Sequence, residues 1–147
     1  KKHNGVCVWD ELCNFNLQTI VKKKITKIGF IFNTDPDYKS GQHWISLFIN
    51  LEKKIIFYFD SVGTKQPKEI KIFIERVAQQ GKQLHSPIDF DIDSTLGIEN
   101  QVKDTECGMY SLFFICNMLE GNLSKTNMKS TIFRDNFIQK FRKIYFN

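Results

Sequence analysis

Hydrophobic residues along the chain follow two spacings, one typical of strands and one typical of helices. Runs rich in Ile, Phe, Tyr and Trp at 25–32, 43–50 and 55–60 predict three strands. The polar break at 52–54 joins the last two into a hairpin, and its position predicts paired residue numbers that sum to roughly 105 to 107. Such apolar strands suit a sheet that is buried on at least one face.

The later segments predict helices with one intervening strand. Pro67 begins a helix that ends near Gly81, and a short strand at 88–92 follows it. A polar loop then leads into a helix at 107–119, and an amphipathic helix is predicted at 129–144. The apolar faces expected to be buried are Ile70, Phe73, Ile74 and Val77 in the first helix, and Ile132, Phe133, Phe137, Phe141 and Ile144 in the last. This order of elements predicts an α+β fold.

Length and composition indicate one domain, spanning 1–147, that can bury a core without disulfides or metal. The hydrophobic content of 41% is that of a globular protein. No apolar run approaches the roughly 20 residues that span a bilayer, so no membrane partner is expected. The chain opens on Lys1 without a signal peptide, and we expect it to be part of a longer polypeptide.

The net charge of +5 and the four cysteines narrow the function only slightly. Lysine runs at 22–24 and 53–54 could attract nucleic acid or another acidic partner, but no nucleic-acid motif accompanies them. Solubility together with a Lys- and Ile-rich coding bias is the more ordinary explanation of these runs. Cys7, Cys13, Cys107 and Cys116 form no C-x-x-C pair, so a zinc site is not expected. We expect free thiols in a reducing intracellular compartment.

The segment 101–112 contains the strongest chemical signal. Here a polar loop meets an apolar helix at Cys107-Gly108, which places the cysteine sulfur at a helix N-terminus. The unpaired N–H groups of that terminus favour a thiolate, the nucleophilic form of cysteine. Gly108 leaves room for a substrate backbone. Taken alone, Cys107 is more often simply a buried core residue.

A cysteine nucleophile needs a base, and the base needs a group that orients it. The predicted hairpin places His43 and Asp60 together at its open end, where the carboxylate can accept the ring N–H and fix the tautomer. Gln101, six residues before Cys107, can donate to the oxygen that becomes negative during acyl transfer. Each of these residues has an ordinary interpretation by itself, and only the combination is specific.

The combination resembles a known family. Gly-x-His-Trp at 41–44, the Asp at 60 and Gln-x5-Cys-Gly at 101–108 are similar to the proteases that process SUMO and other ubiquitin-like proteins, and to the related adenovirus-type proteases. The resemblance spans roughly 28–119 and is closest to the polyprotein-processing members from large DNA viruses. It implies a papain-like Ulp-type core, with a central mixed β-sheet flanked by helices and the nucleophile at a helix N-terminus.

The resemblance also implies roles for individual residues. Seven positions match those that the family uses: His43, Asp60, Gln101 and Cys107 for catalysis, and Asn33, Trp44 and Gly108 for substrate binding. Trp44 would pack beside the catalytic His and form one wall of a channel that admits only glycine. A viral member of the family has Asn in place of Asp60, and since members use either residue, activity is still expected.

The expected function is therefore a cysteine endopeptidase that cleaves after Gly-Gly type sequences in a viral polyprotein or a ubiquitin-like protein. No cofactor or metal is expected, and nothing supports an activating peptide. The host cytoplasm or the virion is the expected location. Three alternatives stay open: a SUMO or ubiquitin deconjugase acting as an effector, an acetyltransferase with the same triad, and an inactive module that grips a ubiquitin-like tail. The presence of all four catalytic residues argues against the inactive module.

Overall fold

The computed structural model describes residues 2–3, 6–7, 9–35 and 42–146. Its strands are β1 (Lys2–His3), β2 (Val6–Cys7), β3 (Lys27–Asn33), β4 (Trp44–Asn50), β5 (Ile55–Phe59) and β6 (Asp91–Ser94). Its helices are α1 (Asp10–Cys13), α2 (Leu17–Lys22), α3 (Lys68–Lys82), α4 (Cys107–Glu120), α5 (Lys125–Ser130) and α6 (Asp135–Tyr145). The helices mostly precede or follow the strands and do not alternate with them regularly, which confirms the predicted α+β class.

A four-stranded mixed sheet forms the centre of the molecule, in the order β3-β4-β5-β6. The first three strands are antiparallel, and β6 joins β5 in parallel. In the β4–β5 hairpin, Ser46 lies opposite Phe59 and Asn50 lies opposite Ile55, which confirms the predicted register. β1 and β2 form a separate two-stranded ladder.

Both faces of the central strands are buried, because successive side chains point to opposite sides of the sheet. On one side Phe57 and Phe59 pack with α4, and the Phe59 ring stacks on Phe114 with 4.7 Å between centroids. On the other side Ile56 and Tyr58 belong to the cluster that includes residues of α2 and α3. The fold is therefore a sheet between two helical layers, in agreement with the expected central sheet flanked by helices.

The last predicted helix is wrong in its extent. The segment 129–144 contains the end of α5, an extended stretch at 131–134, and most of α6. Thr131 and Ile132 are β-branched residues, which fit extended backbone better than helix. Because α6 begins only at Asp135, its buried face centres on Ile138.

Two further sequence predictions need correction. Ile132, Phe137 and Ile144 were expected to be buried but are 44%, 41% and 66% exposed, while Phe133 and Phe141 do pack against the core. The strand predicted at 88–92 lies at Asp91–Ser94, where it pairs with β5. The predicted apolar face of α3 is confirmed, since Phe73, Ile74 and Val77 are buried there.

Cys107 and Cys116 are free thiols, as expected, whereas Cys13 is disulfide-bonded, so the expectation of free thiols throughout is wrong for Cys13. The side chain of Cys7 lies outside the described residues, as does Gly41. Within the described part of the chain, no helix has the length and apolar character needed to cross a membrane. The same residues include no group of three or more His, Cys, Asp or Glu side chains arranged to hold a metal ion.

Candidate active site

The β4–β5 hairpin brings His43 and Asp60 together at its open end. His43 directly precedes β4 and Asp60 directly follows β5, so the register of the hairpin sets the distance between them. The His43 Nε2 lies 2.7 Å from the Asp60 Oδ1, a hydrogen-bond distance. The predicted partnership of these two residues is therefore present in the structure.

Asp60 is held rigidly and stays ionised. Its side chain is fully buried, and besides His43 it accepts hydrogen bonds from the Val62 N–H, at 3.0 Å, and from the Thr64 hydroxyl. Its own N–H donates to the Thr95 Oγ1 at 3.0 Å, and the Thr95 hydroxyl donates back to the Asp60 carbonyl. Burial alone would raise the pKa of this carboxyl, but the hydrogen bonds outweigh burial and hold the pKa below its ordinary value.

His43 is a stronger base than an ordinary histidine. The hydrogen bond to Asp60, followed by the one to Cys107, raises the pKa of His43 to about 9 against the opposing effect of burial. Since Nε2 faces Asp60, the other ring nitrogen, Nδ1, is the one that serves Cys107. The imidazole thus lies between a carboxylate that orients it and a thiol that it can deprotonate.

Cys107 is the first residue of α4 and is 8% exposed. Its hydrogen bond with His43 is the main reason why its pKa lies below the ordinary thiol value; burial opposes this shift, and the backbone N–H groups of Trp44 and Gly108 assist it. A lowered thiol pKa beside a raised imidazole pKa favours the thiolate–imidazolium pair near neutral pH. The predicted activation of Cys107 therefore has a physical basis in this geometry.

Gln101 lies in the loop that leads to Cys107, and Ser61 anchors it there. The Gln101 N–H donates to the Ser61 carbonyl at 2.9 Å, and its side-chain oxygen accepts the Ser61 hydroxyl at 2.7 Å. One N–H of its amide group donates to the carbonyl of Lys103. A primary amide has two N–H donors, so the second is the one that a substrate oxygen could use. Gln101 is only 4% exposed, which restricts its orientation.

The three predicted substrate-binding residues occupy different positions. Trp44 is 39% exposed and lies over Gly108, where an added Cβ would be 3.7 Å from the indole Cδ1. An open groove of about 510 Å³ includes both residues and Cys107 in its lining, and extends to Phe146. Asn33 lies opposite Trp44 in the β3–β4 register, but its side-chain oxygen accepts the Asp35 N–H at 3.1 Å. Asn33 thus supports the turn after β3 and is not among the residues that line the groove.

Several supporting residues were not predicted from the sequence. Thr64 and Thr95 hold Asp60, and Ser61 holds Gln101. Thr95 is 35 residues away from Asp60 and resembles any other loop threonine. No sequence signal points to it, because its role depends on β6 pairing with β5.

A thiol at the start of a helix, paired with an imidazole that a buried carboxylate orients, is the arrangement found in cysteine proteases of papain-like architecture. Comparison with known families agrees with that class. The chain belongs to the Ulp1 protease family: residues 1–147 match its C-terminal catalytic domain. This confirms the resemblance inferred from the motifs.

Viral proteases are among the most similar relatives. The chain is 35% identical over 127 residues to the SUMO-1 cysteine protease S273R of African swine fever virus (isolate Pig/Kenya/KEN-50/1950). The match covers 83% of this chain and 44% of that protein. The chain is also 32% identical over 136 residues to the putative thiol protease R355 of Acanthamoeba polyphaga mimivirus, a match that covers 92% of this chain and 44% of that protein. The crystal structure of the selenomethionine African swine fever virus pS273R protease superposes with a TM-score of 0.73, at 34% identity over 83% of this chain and 44% of that one. The chain therefore spans less than half the length of these relatives.

Proposed function

We propose that this chain is a cysteine endopeptidase in which Cys107 is the nucleophile, His43 the general base and Asp60 the residue that orients the base. The observation that supports this best is the continuous set of hydrogen bonds from the buried Asp60 through His43 to Cys107. Membership in the Ulp1 protease family points to the same reaction.

The reaction would use the thiolate–imidazolium pair directly. The Cys107 sulfur attacks the peptide carbonyl carbon, and the carbonyl oxygen becomes negative, stabilised by the Cys107 N–H and the Gln101 amide. His43 gives its proton to the leaving nitrogen as the C–N bond breaks, which leaves a thioester on Cys107. His43 then takes a proton from water, the resulting hydroxide attacks the thioester, and the thiol is released. No step needs a metal ion or cofactor.

The preferred substrate of this proposal is a polypeptide with a Gly-Gly sequence before the cleaved bond. Trp44 lies over Gly108, and a Cβ added there would be in ordinary van der Waals contact with the indole, 3.7 Å from its Cδ1. The preference for glycine is supported by membership in the Ulp1 protease family, with Trp44 as one wall of a narrow channel. We favour a viral polyprotein as the natural substrate, because viral proteases are among the relatives that match. A SUMO- or ubiquitin-like protein is the second candidate, since one viral relative is named a SUMO-1 cysteine protease.

The test is a matched panel of substrates. Wild type and Cys107→Ala are assayed with Gly-Gly-Xaa peptides, with Gly-Ala-Xaa peptides that differ by one methyl group, and with fluorogenic SUMO and ubiquitin substrates. We expect turnover of the Gly-Gly peptides by wild type alone and much weaker turnover of the Gly-Ala peptides. Equal turnover of both peptides would refute the glycine preference. Turnover of SUMO or ubiquitin substrates without any peptide turnover would favour the deconjugase.

We also propose that the enzyme works in a reducing compartment, such as the host cytoplasm or the virion. An activated thiolate such as that of Cys107 is readily oxidised, so the nucleophile needs reducing conditions. Dithiothreitol should then raise or preserve the activity of the purified protein. A loss of activity on reduction would instead indicate that the disulfide at Cys13 is needed, and would contradict this location.

A further inference from the structure

The loop between β6 and Cys107 is attached to the C-terminal helix α6 through one buried carboxylate. Asp135, the first residue of α6, is 6% exposed. Its oxygens accept the backbone N–H of Val102 at 3.2 Å and 3.4 Å, and that of Lys103 at 3.0 Å. A buried carboxylate that accepts consecutive backbone N–H groups fixes the conformation of the peptide that donates them.

Lys103 connects Asp135 to Gln101, whose side chain would stabilise the oxyanion in the proposed mechanism. Lys103 donates its N–H to Asp135, and its carbonyl accepts a hydrogen bond from the Gln101 amide. Asp135, the Lys103 backbone and the Gln101 side chain thus form a hydrogen-bonded series. On its other side the Gln101 amide is held by Ser61.

The same carboxylate is close to the helix of the nucleophile. The hydroxyl of Tyr110, on α4, lies 3.0 Å from the Asp135 Oδ1, 2.6 Å from the Phe133 carbonyl and 3.2 Å from the Asn100 carbonyl. The Asn100 side chain in turn accepts the Phe133 N–H at 2.9 Å. The loop, the N-terminal end of α6 and the first turns of α4 therefore meet around Asp135.

The end of the loop has a second attachment to α6. Glu106, adjacent to Cys107 and only 5% exposed, pairs with Arg142 at 3.1 Å and accepts a longer hydrogen bond from Gln139 at 3.4 Å. Asp135 thus holds the loop just after Gln101, and Arg142 holds it just before Cys107.

We propose that Asp135 is a positioning residue for the oxyanion-stabilising loop, so that this residue of α6 takes part in catalysis without touching the substrate. The inference rests on the proposed function, in which the Gln101 amide and the Cys107 N–H stabilise the oxyanion. Such donors act only when they are fixed in advance, and removing one from an oxyanion hole costs about 10² to 10³ in kcat. By contrast, the bonds that activate the thiol run through His43, Asp60 and Thr95, none of which contacts Asp135.

The role can be separated from a merely structural one because alkylation by iodoacetamide forms no oxyanion. For Asp135→Ala we expect kcat on a Gly-Gly peptide, per alkylatable Cys107, to fall about 10- to 100-fold with KM nearly unchanged. The rate of Cys107 alkylation and its pH profile should stay as in wild type. Asp135→Asn should recover most of the activity, because its amide oxygen can accept the Val102 and Lys103 N–H groups while its amide N–H donates to the Tyr110 hydroxyl.

Two further variants keep the test decisive. Asp93→Ala removes a carboxylate that pairs with Lys129 and does not touch the loop, so it should leave kcat unchanged. Arg142→Ala releases the other end of the loop, where Arg142 pairs with Glu106, so its kcat should fall less than that of Asp135→Ala; only kcat is compared, because Arg142 also lines the groove. If Asp135→Ala does not fold, Asp135→Ser, whose single short hydroxyl replaces the two carboxylate oxygens, takes its place in the same measurements.

The proposal is overturned if kcat per active site is unchanged in the folded variants, or if alkylation slows in proportion to kcat. Failure of the proposed function would look different. In that case wild type would not turn over the Gly-Gly peptide, or Cys107→Ala would retain activity, whatever the behaviour of the Asp135 variants.

Discussion

Replacing Asp60 with Asn isolates the charge of the orienting residue from its hydrogen bonds. The Asn oxygen, in place of Oδ1, can still accept the N–H groups of His43 and Val62. Its amide nitrogen, in place of Oδ2, can donate to the Thr64 hydroxyl, which now acts as acceptor. Every buried partner of Asp60 thus remains satisfied, and the substitution should fold.

The expected loss follows from the pKa of His43. This pKa is raised from 6.5 to about 9, with the hydrogen bond to Asp60 as the largest cause and the one to Cys107 as the second. Asp60 is therefore the largest contributor to the raised pKa of His43, and each pKa unit is a tenfold change in the protonation equilibrium. The His43 side chain is 23% exposed, so solvent screens part of this effect. The thiolate–imidazolium pair, and with it kcat/KM, should fall about 10- to 100-fold.

The pH dependence has a definite sign. In wild type the raised pKa keeps His43 protonated up to about pH 9. The lowered pKa of Cys107 lets its thiolate form at a lower pH than that of an ordinary thiol. Without the Asp60 charge the pKa of His43 moves down, so the alkaline side of the profile moves towards neutral pH. The deficit of Asp60→Asn should therefore be larger at pH 8.5 than at pH 6.

The assay is kcat/KM on one Gly-Gly peptide across pH 6 to 9 for wild type, Asp60→Asn and His43→Ala, with circular dichroism to confirm folding. His43→Ala removes both the base and the acid, so it should lose several orders of magnitude and show no recovery at any pH. The reasoning is refuted if Asp60→Asn is as inactive as His43→Ala at every pH. A mechanism that depends on the full carboxylate charge would then have to replace it. In serine proteases the same change costs about 10⁴ in kcat because the required histidine tautomer is lost.

Three further outcomes are expected. Cys107→Ala should abolish peptide hydrolysis and keep the fold; residual turnover above a few per cent of wild type would mean that the nucleophile is misassigned. Iodoacetamide should label Cys107 faster than Cys116 near neutral pH, since the hydrogen bond with His43 lowers the pKa of Cys107, and equal rates in the folded protein would contradict its activation. Phe114→Ala should lower the free energy of unfolding by about 3–5 kcal/mol in a denaturant titration, because its ring is fully buried. Ile72→Ala, at a site 53% exposed, is the control, and equal losses would refute the assigned core.

The elements predicted correctly are those with strong local periodicity. The hairpin register followed from a short polar break between two apolar strands, and α3 followed from Pro67 and the spacing of its apolar residues. The region after Ser124 was harder, because Phe133, in the extended stretch, continues the helical spacing of Phe137 and Phe141 in α6. Spacing alone does not reveal that Asp135 leaves the regular pattern to bind the distant backbone of Val102 and Lys103.

The residues of the candidate site also fall into two groups, those that local sequence predicts and those that it does not. His43 and Asp60 could be paired from the sequence because the hairpin that joins them is local. The threonine that fixes the Asp60 backbone reaches it through a parallel strand that enters the sheet only after α3. Its position therefore depends on the tertiary fold, and a single sequence gives no signal for it.

The two halves of the proposed chemistry are held by different parts of the fold. The thiol is activated by groups at one end of the sheet, where the β4–β5 hairpin places His43 and Asp60. The oxyanion donors depend on a loop that α6 holds through Asp135 and Arg142. Because contacts to α6 lie outside the hairpin, displacement of α6 should weaken acyl transfer before it weakens thiolate formation. A ligand or partner that moves α6 could thus regulate turnover while Cys107 remains reactive towards simple alkylating agents.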